Sequence, residues 1–82
     1  MAEKLALNVA VGRAVRRWRA EHRVSQEELG LRCGIDRTYV GHIERAEKQP
    51  TLGTIEKLLE GTGMTFSEMA ELAEREQVRQ SP

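Results

Sequence analysis

The chain has 82 residues with 39% hydrophobic and 32% charged side chains, which suits one small globular domain, 1–82, and excludes a disordered chain. A single cysteine, Cys33, excludes an internal disulfide. No apolar run reaches membrane-spanning length or forms a signal peptide, so a cytoplasmic protein is expected. Net charge is zero but uneven: residues 1–49 carry ten Lys/Arg and seven Asp/Glu, residues 50–82 three and six. A basic first half can meet a polyanion while the acidic second half faces away.

The apolar spacing is helical throughout and predicts five helices in an all-α domain. The first runs from about Asn8 to Glu21, with Val11, Val15 and Trp18 on one stripe and Arg13, Arg16 and Arg17 mostly off it. The second opens at Ser25, where Ser25 and Glu28 form the S-x-x-E pattern of a capping box and Val24 and Leu29 a hydrophobic staple. Gly34 ends it, since glycine takes a left-handed backbone without steric cost. Cys33 lies on the apolar face and reads as a small buried residue.

The third helix opens at Asp36, an N-cap, with Ile35 and Val40 as its staple, and runs to about Arg45. The loop AEKQP follows. The fourth helix begins after Thr51, turns Leu52, Ile55, Leu58 and Leu59 inward, and stops at Gly61 and Gly63. The fifth spans about 65–77, with a second capping box at Thr65 and Glu68 and a third staple at Met64 and Met69.

The segment from Gln26 to Arg45 carries the function. Gly30 is small where two short helices must cross, Gly34 makes the sharp turn, and Leu29, Cys33, Ile35, Val40 and Ile43 pin one helix across the other. This is the plan of a helix-turn-helix over 25–45, whose second helix enters the major groove of DNA. With Val40 and Ile43 inward, Arg37, Thr38, Tyr39 and His42 are the candidates for base contact. Arg37 suits a guanine edge and Thr38 a base edge or thymine methyl, while His42 suits a base or a phosphate. Ser25 and Gln26, at a helix start, and Arg45, Lys48 and Gln49, after the recognition helix, are candidates for phosphate contact.

The stretch SQEELGLRCGIDRTYVGHIERAEKQPTLGTIEKLLEG resembles the Cro/repressor-like, XRE-type helix-turn-helix family, through "SQEEL", the turn glycine, "IER" and "PTL". The resemblance covers about Gly12 to Leu72. It implies a compact five-helix, lambda-repressor-like domain that binds double-stranded DNA as a homodimer on palindromic sites. It also implies a partly buried ion pair between Arg19 and Glu44. The short length and "DRTYVGHIER" are similar to controller proteins of restriction–modification systems, which activate and repress their own operon. Gly30 and Gly41 depart from the usual pattern, and Gly41 lies within the recognition helix.

An apolar surplus at Met64, Phe66, Met69, Leu72 and Ala73 is expected to meet a symmetry mate. The alternatives are an antitoxin that binds a protein toxin, and a phage-type repressor. An enzyme is not expected: His22 and His42 lie far apart, and no metal cluster, nucleophile–base pair or phosphate-cradling loop is present. No cofactor, small-molecule ligand or membrane partner is expected.

Overall fold

The computed structural model describes residues 5–79, Arg79 through its backbone alone. The ends of the predicted domain, residues 1–4 and 80–82, lie outside the described residues. Five helices follow in order: α1 Leu7–His22, α2 Gln26–Cys33, α3 Arg37–Glu44, α4 Leu52–Thr62 and α5 Phe66–Arg79. Helix α1 packs on α5 and α3, and α2 packs on α3 and α4. Leu29, Ile43, Leu58, Met69, Val15 and Val40 are fully buried, two from α3 and one from each of the other four helices, so the core joins all five.

The helix starts follow from their caps. Ser25 Oγ accepts the Glu28 N–H at 3.0 Å, Asp36 Oδ1 that of Thr38 at 2.7 Å, and Thr51 Oγ1 that of Thr54 at 3.1 Å. Thr65 and Glu68 make both bonds of a capping box, at 3.1 and 2.8 Å. The box expected at Ser25 is half made. Glu28 turns its carboxylate to Arg32, one turn on, with Nη2–Oε2 at 2.6 Å.

The helix ends depend on left-handed residues. Gly34 has φ 69°, as expected, and the Ile35 N–H returns to the Gly30 carbonyl at 2.8 Å. Arg23, with φ 55°, closes α1 in the same way, sending the Val24 N–H to the Arg19 carbonyl at 2.9 Å. No glycine marks that end in the sequence.

Three expectations need correction. Gly61 does not stop α4; it lies within the helix, and Gly63 alone closes it. A Cβ at Gly61 would strike Cys33 Sγ and come within 3.0 Å of the Cys33 backbone, so Gly61 is where α4 crosses α2. Cys33 is buried as expected, and that burial pushes its thiol up from the usual range. Leu52 does not face inward: it is 81% exposed, because the first residue of α4 overhangs the core. Helix α5 continues to Arg79 rather than ending near Gln77. Its last turns are held by Arg17 Nε on Glu76 Oε2 at 2.6 Å, with Glu76 buried, and by Gln77 Nε2 on the Leu5 carbonyl at 2.9 Å.

Candidate nucleic-acid interface

Helix α3 has eight residues, too few to be stable alone, so its orientation is set by what it touches. Val40 and Ile43 fill the core beneath it. Its start lies against α2 at Gly30, where a Cβ would come within 2.5 Å of the Ile35 carbonyl oxygen. Its end lies against α1 at Gly12, where a Cβ would strike the Ile43 carbonyl oxygen and reach 3.0 Å from that of Glu44. The sequence marks Gly30 for this role but gives no sign for Gly12.

Gly41 is different. A Cβ there would meet the far end of the Arg45 side chain, at 3.0 Å, which can swing away. Gly12→Ala is therefore expected to destabilise by about 1–3 kcal/mol, since two backbone carbonyls must yield. Gly41→Ala is expected to stabilise by up to about 1 kcal/mol through helix propensity. Urea unfolding of both variants checks the opposite signs.

The end of α3 is also tied by charge. Arg19 Nε and Nη2 donate to the two carboxylate oxygens of Glu44, at 2.7 and 2.9 Å. Arg19 Nη1 donates to the Val24 carbonyl at 3.1 Å, and Gln26 Nε2 to Glu44 Oε1 at 3.0 Å. The resemblance implies a partly buried pair at Arg19 and Glu44; here the two side chains are 18% and 3% exposed, and the contact is forked. Glu44 holds the Arg19 guanidinium above its already high usual range. Gln26, a candidate for phosphate, has its side-chain amide engaged by Glu44 in this structure.

On the outer side, Thr38, His42 and Arg45 share a face at i, i+4 and i+7. Arg37 leans off that face toward α2, with Nη1 3.5 Å from Glu27 Oε2, both side chains well exposed. Thr38 is exposed; its N–H, then its hydroxyl, holds the Asp36 carboxyl below the usual range. Tyr39 is half-buried and packs against the core, so only part of its ring is offered outward. Ser25, Lys48 and Gln49 are exposed, and the Ser25 hydroxyl serves as the cap of α2.

Two acidic residues join this surface unannounced. Glu27 lies against Arg37, and Glu47 touches both His42 Nδ1, at 2.7 Å, and Arg45 Nε, at 3.1 Å. Glu47 follows the helix, where 3.6-residue spacing no longer predicts neighbours. Ala46, at φ 57°, turns the chain back and brings it there. Arg17, Arg19, Arg32, Arg37 and Arg45 all have carboxylate partners, so the basic half is more self-neutralised than its composition suggests.

The five residues read as an apolar surplus divide. Met69 and Ala73 are buried within the single chain and belong to its core, which corrects the expectation that they are spare. Met64 and Leu72 are half-buried, and Phe66 is 62% exposed. Phe66 lines an apolar groove with Leu7, Pro50, Leu52 and Ile55, at the starts of α1, α4 and α5. Leu7 and Leu52, absent from the expected set, extend its exposed rim.

A helix-turn-helix family profile matches residues 15–69. The control protein C.MunI of a Mycoplasma species is 31% identical over 71 residues, 85% of this chain and 96% of that protein. A hypothetical transcription factor of Neisseria meningitidis serogroup B is 40% identical over 60 residues, 73% of this chain; the match spans about half of that protein, 51%. The crystal structure of the restriction–modification controller protein C.Esp1396I superposes with a TM-score of 0.84 at 25% identity, covering 94% of this chain and 100% of that one.

Proposed function

This chain belongs to the XRE-type helix-turn-helix family of DNA-binding transcription regulators, and we propose that it acts as a homodimer on a palindromic operator as a restriction–modification controller protein. The family consists of regulators and not enzymes. The observation that carries the reading is α3 itself: an eight-residue helix held from two sides by close backbone approaches and a forked ion pair, with Thr38, His42 and Arg45 along its open face. Such a rod fits the major groove, and two of them read half-sites about 34 Å apart. Lys48, Gln49 and the start of α2 at Ser25 and Gln26 then lie where backbone phosphates would set register.

Arg37 reaches a base only by leaving Glu27. An exposed pair of this kind is worth about 0–1 kcal/mol, less than the roughly 1–3 kcal/mol of a bidentate contact to guanine, so the exchange favours DNA. Arg37→Ala is expected to lower specific affinity by about 1–3 kcal/mol and to relax selection at one base pair of each half-site. Selection from randomised duplexes, followed by titration at fixed salt, measures both. An unchanged preference would remove Arg37 from the base-reading set, and a wild-type protein with no preferred sequence at all would refute the proposed function.

The similarity to C.MunI and C.Esp1396I, both named as control or controller proteins, favours that reading over an antitoxin or a phage-type repressor. The exposed groove around Leu7, Leu52 and Phe66 is the proposed dimer surface.

A further inference from the structure

His42 is engaged on one side of its ring only. Nδ1 lies 2.7 Å from Glu47 Oε1, and among the described residues no hydrogen bond engages Nε2. The contact is built by the backbone: with Ala46 left-handed, the N–H groups of Glu47 and Lys48 both fold back onto the His42 carbonyl, at 2.8 and 3.4 Å. The second Glu47 oxygen receives Arg45 Nε at 3.1 Å. Arg45, and then His42, holds the Glu47 carboxyl below its usual range, so it is ionised near neutrality.

An ionised carboxylate has no proton to give. The proton between Glu47 and His42 therefore belongs to Nδ1, and in the neutral ring Nε2 keeps its lone pair. On the packed helices, Arg19 of α1 is paired with Glu44, and Glu27 of α2 with Arg37. Glu47 is thus the carboxylate that sets the ring.

For the neutral ring, this separates the two roles that the sequence leaves to His42. A phosphate oxygen only accepts, so a neutral ring offering a bare Nε2 cannot hydrogen-bond it. In the major groove the matching donors are the amino groups of adenine and cytosine, whereas guanine and thymine present oxygen acceptors. We propose that Glu47 is a positioning residue that fixes His42 in its Nδ1–H form, so that Nε2 selects an amino base, adenine or cytosine, at one position of each half-site. This rests on α3 being the recognition helix.

Two measurements on the full chain test it. Nitrogen-15 NMR of the free protein, at a pH where the ring is neutral, should show His42 protonated at Nδ1 and bare at Nε2. Glu47→Ala should move it toward the Nε2–H form; Glu47 is exposed, so the variant is expected to fold. Selection from randomised duplexes should then give adenine or cytosine at one position for the wild type. In Glu47→Ala that position should shift toward guanine or thymine by about fivefold, the effect of one hydrogen bond. His42→Ala should flatten the same position. A wild-type ring protonated at Nε2 would overturn the proposal. So would an unchanged base preference, including a gain in affinity uniform over all sequences, which loss of a negative charge alone produces. Sequence-selective binding with that result leaves the recognition helix standing, whereas wild-type binding with no selectivity overturns both.

Discussion

Arg19→Ala should lower stability by about 3–5 kcal/mol, because it leaves a buried carboxylate without its cation. The Glu44 side chain is only 3% exposed and keeps a single neutral donor, Gln26, once the forked pair is gone. The Val24 carbonyl also loses the Arg19 bond that braces the turn between α1 and α2. Small domains have only about 5–15 kcal/mol in total, so this is a large fraction. At about 4–8 °C per kcal/mol for a chain of this size, the melting temperature should fall by about 12 °C or more. The double variant Arg19→Met with Glu44→Leu separates charge from packing. Replacing both partners by apolar groups is often neutral or stabilising, so the double variant should regain most of the loss. A double variant as unstable as the single one would mean that Arg19 acts through its packing instead. Thermal and urea unfolding of the three proteins decides it.

Phe66→Glu should convert the proposed dimer to a monomer and weaken binding to the proposed two-half-site operator by about 100- to 10,000-fold, the range over which linking two sites raises avidity. Leu7, Leu52 and Phe66 stand open together at the starts of three helices, and contiguous apolar surface of this kind marks an interaction site. A charge at Phe66 in a closed interface would be desolvated without a partner, whereas in the open monomer it stays in water. The variant should therefore fold normally, sediment as a monomer, and bind an isolated half-site as the wild-type domain does. Leu72, half-buried on α5, is a weaker place to break the contact, since its replacement also disturbs the single chain. A Phe66→Glu protein that remains dimeric would place the interface elsewhere. Sedimentation equilibrium and operator titration together give the answer.

The sequence alone determined the number and type of elements and most of their starts. Caps and staples are local, made among residues within five positions of one another, so Ser25, Asp36 and Thr65 announce their helices without knowledge of the rest of the chain. The helix-turn-helix was legible for the same reason: Gly34 and the apolar spacing around it are short-range requirements. The Arg19–Glu44 pair came from resemblance to a family and not from spacing.

Tertiary structure decided what distance in the chain conceals. Gly12 and Gly61 are needed for backbones that approach from elsewhere, and a glycine in a helix looks like a stop until its neighbour is known. Arg17 and Glu76 are 59 residues apart, and no periodicity links them. Met69 and Ala73 became core once α1 was laid against α5, leaving Phe66 and Leu52 as the open surface. Glu47 reached His42 because Ala46 adopts a conformation its side chain does not advertise. Local hydrogen bonding fixes where helices begin; which faces then meet, and which charges are answered, is settled only when the whole core closes.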